Sequence, residues 1–178
     1  MHILNSSSMI HRRSAARYHS VFAASLLVFL LAIVRMPAGA QQSGAQFVSA
    51  APGPAVAAHH GSQVDVPLKL AIRSGHHIQS NTPAEEYLIP SALTWDTNPA
   101  VALKGVTYPK AESVKYDFSE KPLSVFSGAL TVTSHFAVPA DAPRGPVTLT
   151  GKFRYQACND KMCFPPRTLP VSVNITVE

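Results

Sequence analysis

Cys158 and Cys163, the two cysteines of this 178-residue chain, are the residues whose type and spacing point most directly to chemistry. They sit in Tyr155-Gln156-Ala157-Cys158-Asn159-Asp160-Lys161-Met162-Cys163-Phe164-Pro165-Pro166. A hairpin with the cysteines at its mouth would bring their Cα atoms to the roughly 5.5–6 Å that a disulfide needs. Closing so small a ring constrains the unfolded chain by only about 2 kcal/mol, the weak end of the disulfide range. Such a bond adds little as a staple, yet it can open and close without disturbing the strands on either side. Lys161 favours a thiolate and Asp160 opposes it, so the sign of the net effect stays open. On the residues alone, a redox-active pair and a structural disulfide stand level. A third reading takes Cys158, Met162 and Cys163 as soft ligands for Cu(I).

The elements that must position this pair are strands. From Gln63, Val64, Val66, Leu68, Leu70 and Ile72 alternate with Asp65, Pro67, Lys69 and Ala71, which is the period of a half-buried strand. Pro67 assigns it to a sheet edge. Leu93–Trp95, Val101–Tyr108, Val114–Phe118, Ala129–Val138, Pro146–Tyr155 and Leu169–Val177 follow as further β-prone segments. The frequent Pro and Gly breaks between them leave no room for a long helix, only a brief turn around Pro83–Tyr87. Many short strands at this spacing predict an all-β fold, an immunoglobulin-like antiparallel β-sandwich. Trp95 is expected as a core anchor, and His76-His77 as part of a surface loop after the turn at Gly75.

The chain's start reads differently. Four arginines, Arg12, Arg13, Arg17 and Arg35, accompany an apolar stretch from Val21 to Val34, and Ala38-Gly39-Ala40 follows. This is the order of a secretory signal peptide over residues 1–40, cleaved before Gln41, with a retained N-terminal anchor as the alternative because Arg35 lies between the apolar stretch and the site. The stretch is short of the roughly 20 residues a membrane helix needs, so the mature chain is expected not to span a membrane. Residues 41–61, rich in Ala, Gly, Ser and Pro, read as a flexible leader, a linker or loose leading strand in which Phe47-Val48 can pair at a sheet edge, with 62–178 as the folded domain. Export would place both cysteines where disulfides form and persist.

Charge excludes one class of function. The net charge of +5 falls to +1 once those four arginines are removed, because no acidic residue lies among the first 40. The high isoelectric point therefore belongs to the targeting segment, and no basic patch is left to bind nucleic acid.

At Tyr-Gln-Ala-Cys-(x4)-Cys-Phe-Pro-Pro the chain resembles the N-terminal periplasmic domain of the thiol:disulfide interchange protein DsbD. Gly75-His76-His77-Ile78-Gln79-Ser80-Asn81 is similar to a turn of that family, and Val125-Phe126-Ser127-Gly128 to its cap segment. The resemblance covers Phe47 to Val177. It implies a thiol:disulfide oxidoreductase that relays electrons from a membrane-bound reductant, here supplied in trans, to periplasmic thioredoxin-like proteins, with no cofactor and no metal. It also implies residue roles: Cys163 would form mixed disulfides, Cys158 would resolve them, Phe126 would cap the pair, and Tyr155 and Phe164 would line it. Ser124 and Val125 stand where well-known cap segments carry acids. The competing reading is a non-catalytic immunoglobulin-like binding module with a structural disulfide.

Overall fold

The computed structural model describes residues 46–178, and residues 1–40, read as a signal peptide, lie outside the described residues. Twelve strands and no helix make up the described part. They are β1 (Val48–Ala51), β2 (Val56–Ala58), β3 (Gln63–Ile72), β4 (His77–Gln79), β5 (Ala92–Trp95) and β6 (Ala102–Thr107). The remainder are β7 (Glu112–Val114), β8 (Leu123–Ser127), β9 (Ala129–Ala137), β10 (Gly145–Tyr155), β11 (Ala157–Cys158) and β12 (Arg167–Val177). Two sheets, ordered β1-β3-β9-β6 and β2-β12-β10-β5, form an immunoglobulin-like sandwich. A third, β11-β4-β8-β7, is built from strands of only two to five residues and carries the cysteines.

The alternation read in the sequence becomes packing. Val64, Val66, Leu68, Leu70 and Ile72 of β3 are all buried, as are Leu169, Val171, Ile175 and Val177 of β12. Phe47, Leu68, Ile78, Phe126, Phe153 and Tyr155 meet in one core cluster, and Val66, Phe136, Leu149 and Ile175 in a second. Trp95 packs against both clusters; its indole N–H donates to Ser134 Oγ at 2.8 Å, and its ring meets Phe136 edge-on. The lone indole thus serves as the expected core anchor with its polar atom satisfied. Gly151 lies opposite Trp95 in the β10–β5 pair. A Cβ there would collide with the Thr94 carbonyl oxygen and the Trp95 ring, so no larger residue lets β5 approach β10 this closely.

Three expectations change. The described part of the 41–61 leader is ordered: β1 pairs antiparallel with β3 at the sheet edge, as Phe47-Val48 allowed, and β2 runs parallel to the last residues of β12. Phe47 and Val48 are buried in the main cluster, which gives this Ala-rich stretch its anchor. β3 is an inner strand rather than an edge. Pro67 is accommodated because β1 pairs only as far as Lys69, leaving one side of Pro67 without a strand to bond. Finally, the strand expected at Val114–Phe118 ends at Val114, and Lys115–Phe118 form a loop.

Gly128 (φ 64°) makes the single-residue step from β8 to β9, carrying the chain out of the cysteine-bearing sheet into the sandwich. A positive φ at that step suits glycine, which lacks the Cβ clash.

Candidate functional site: a hairpin disulfide over a buried histidine and glutamine

Asn159 starts the turn that brings the cysteines together. Its side-chain oxygen accepts from the backbone N–H groups of Lys161 and Met162, both at 2.9 Å, and its own N–H donates to the Met162 carbonyl at 2.9 Å. In an Asx turn of this kind the side-chain oxygen takes the part of a backbone carbonyl. Phe164 N–H then donates to the Ala157 carbonyl at 2.8 Å, closing the hairpin around a Cys158–Cys163 disulfide with Cα atoms 3.9 Å apart. The cysteines therefore stand at the mouth of a tight hairpin, closer together than the spacing first expected. Cys158 is fully buried, whereas Cys163 is partly exposed beside the exposed Met162.

β11 lies against β4, and β4 against β8, in a register that separates two faces. Ala157, Ile78 and Phe126 are mutual partners and belong to the main core. Residues directly opposite one another share a face and successive residues alternate. Cys158 and its partner His77, with Gln79 two residues on, thus occupy the other face. Gln79 Nε2 donates to Cys158 Sγ at 3.3 Å and approaches Cys163 Sγ at 3.9 Å. His77 stacks flat on Tyr116, with ring centres 4.1 Å apart.

Over this face lies a small apolar layer of Leu88, Leu123 and Val125, with Val114 and Tyr116 packed on it. The loop carrying Tyr116 and the half-exposed Phe118 is held by Lys115 Nζ, which donates to the Ser119 carbonyl, and by Ser119 Oγ, 2.9 Å from the Lys121 carbonyl. A Lys121–Glu85 ion pair at 2.9 Å ties it to the turn that bears Leu88. Gln156 fastens the hairpin to that turn: its Oε1 accepts from Ile89 N–H at 2.9 Å, and its Nε2 donates to the Phe164 carbonyl at 3.3 Å.

The residues assigned by resemblance divide accordingly. Phe126, expected as the cap, is buried in the core cluster and stacks on Tyr108, on the strand face away from Cys158. Tyr155 is likewise a core residue, its hydroxyl oxygen accepting from Phe47 N–H at 3.4 Å. Phe164 stacks on Phe47 at 4.7 Å and seats the hairpin's exit strand on the core beside Cys163. The aromatic over the site face is Tyr116, which the sequence reading passed over. Its signal was the run Tyr116-Asp117-Phe118, two aromatics around an acid just ahead of β8.

His77 is not the surface residue expected: it is 3 % exposed. Burial lowers its pKa from 6.5 to about 4; the negative charge of Asp160 works against the shift and His76 adds to it. The imidazole is therefore neutral in the fold. Unfolded histidine takes up a proton near pH 6.5, so stability is complete above about that pH and declines as pH falls towards 4. A shift of this size amounts to about 3 kcal/mol. Urea midpoints should fall between about pH 7 and 4.5, and His77→Phe should flatten that limb. An unchanged slope in the variant would assign the acid sensitivity to another group.

Fold and site together define a class: an antiparallel β-sandwich that carries one disulfide at the tip of a short hairpin, beside a sheet of its own. The family model for the N-terminal domain of the thiol:disulfide interchange protein DsbD matches residues 45–174, and the chain belongs to that family. Among solved structures, the DsbD N-terminal domain of Neisseria meningitidis in its reduced form is similar at 18% identity and a TM-score of 0.40, covering 60% of this chain and 73% of that one. The N-terminal periplasmic domain of ScsB from Proteus mirabilis is similar at 11% identity and a TM-score of 0.44, over 72% of this chain. The match spans 44% of that ScsB chain. No curated protein matches the sequence.

Proposed function

We propose that the Cys158–Cys163 pair is a reversible redox couple. It receives reducing equivalents from a membrane-coupled reductant and passes them to exported thioredoxin-like proteins. The observation that carries this reading is the asymmetry of the disulfide: one sulfur lies at the partly open hairpin mouth and the other in a buried polar niche. In the forward reaction the Cys163 thiolate attacks a partner disulfide, and a mixed disulfide forms as one partner sulfur leaves with the electron pair. Cys158 then attacks Cys163 Sγ, restoring the intramolecular bond and releasing the partner as a dithiol. Membership of the DsbD family supports the same assignment, as does the small ring, whose opening removes little constraint from the fold.

Redox titration against glutathione and thioredoxin tests the couple. A relay disulfide should equilibrate with both, whereas structural disulfides typically lie below about −300 mV and resist reduction. A bond that stays oxidised in such buffers would favour the binding-module reading.

A further inference from the structure

We propose that His77 is the base that takes the proton from Cys158 when that thiol resolves the mixed disulfide. The inference rests on the relay reading above and adds to it the group that makes the buried cysteine reactive.

Three buried side-chain polar atoms among the described residues have no hydrogen-bond partner: His77 Nε2, Gln79 Oε1 and Arg167 Nε. Two of them stand on β4 beside the disulfide, and both can act as acceptors. A buried acceptor without a donor is costly and rare, so each calls for an explanation. In the disulfide form the sulfurs carry no hydrogen to donate. Reduction creates two thiol protons at the end of the hairpin whose strand partner is His77 and whose sulfurs Gln79 already approaches. The niche is thus incomplete when oxidised and complementary to the dithiol.

Between the two, only the imidazole can take up a proton outright. His77 is the strand partner of Cys158, and in such pairs Cβ atoms lie about 4.5–5.5 Å apart on one face. Burial keeps the ring neutral, hence able to accept. Every titratable group acting on it is identifiable. Asp160, in the hairpin turn, stabilises the imidazolium once formed, and His76, its chain neighbour, disfavours it. Tyr116, stacked on the ring, is held protonated by burial and by the charges of Asp160 and Glu112.

The step balances. The Cys158 thiol proton passes to His77, and the resulting thiolate attacks Cys163 Sγ. A Cys158–Cys163 bond forms while the Cys163–partner bond breaks, and the partner sulfur leaves with the electron pair. His77 then returns its proton to that sulfur or to water. The partner disulfide is the oxidant, and no other reagent is required.

The test follows the reduced full-length protein mixed with an aromatic disulfide that liberates a coloured thiolate. The first release reports attack by Cys163, and the second reports resolution by Cys158. In the wild type the second phase should stay nearly flat between about pH 8 and 6, because the base and not free hydroxide removes the proton. In His77→Gln, which can accept a hydrogen bond but not a proton, it should slow by about 100-fold near neutral pH. It should also fall about tenfold per pH unit below the ordinary thiol value of roughly 8.5. The first phase should keep its rate. A second phase in His77→Gln with wild-type rate and pH profile would overturn the proposal. Should that variant fail to fold, a wild-type second phase that itself falls tenfold per unit would overturn it equally. Absence of any second release from wild type, with the first intact, would sink the relay reading instead and this proposal with it.

Discussion

Cys158→Ala should accumulate a long-lived mixed disulfide with a thioredoxin-like partner, and Cys163→Ala should trap at least about tenfold less. The asymmetry follows from access. Cys163 is partly exposed at the hairpin mouth, next to Met162, which is 53 % exposed and offers an apolar edge for docking. Cys158 has no exposed surface and is approached by Gln79 and His77 from β4. A partner sulfur can reach the first and not the second. Once the mixed disulfide forms, only Cys158 is positioned to release it, so its removal stalls exchange at the covalent stage. Non-reducing gels of partner mixtures, with mass spectrometry of the adduct, decide the matter. Preferential trapping by Cys163→Ala would reverse the roles, and trapping by neither would return the bond to a structural one.

Phe126→Ala should cost about 3–5 kcal/mol, as truncation of a buried aromatic does, whereas Tyr116→Ala should leave the sandwich standing. Phe126 fills the main core between Ile78 and Tyr108. Tyr116 covers His77 from a surface loop and contributes little to that core. Its loss should therefore speed reaction of the reduced pair with small oxidants while the unfolding free energy moves by about 1 kcal/mol or less. The two variants form a pair: one measures the core face of the β4–β8 strands, the other the site face. A Phe126→Ala protein of wild-type stability with a faster-reacting pair would restore the cap role to Phe126.

Much of this was legible from the chain because the long strands repeat their pattern. β3 and β12 alternate over ten and eleven residues, enough for the period to declare which side is buried. The hairpin was legible for a different reason: alternating strands, Pro146–Tyr155 and Leu169–Val177, flank the Cys-(x4)-Cys spacing on both sides. The third sheet gave no such signal. His77–Gln79 and Ala157–Cys158 are three and two residues long, too short to show any period, and all are buried on both faces. Whether a residue of β8 faces the core or the site depends on its register with β4, which no local pattern encodes. The cap role expected of Phe126 came from the resemblance and not from any local pattern, and Tyr116, in a loop, went unmarked. His77 looked like a loop residue because two adjacent histidines after a glycine turn usually are. Its burial comes from β11 and the Tyr116 loop, both distant in sequence.

The shortness of that third sheet also divides the molecule's stability. The sandwich is held by ladders of nine to eleven residues, so its amides should exchange with solvent only when the whole domain unfolds. The sheet bearing the disulfide has no strand longer than five residues, and its site face, covered by the Tyr116 loop, can open while Ile78, Phe126 and Ala157 stay in the main core. The buried sulfur is then guarded by the free energy of that local opening, a smaller quantity than the stability of the domain. Substitutions in the Tyr116 loop can tune this guard over orders of magnitude while thermal melting, which reports the sandwich, hardly moves.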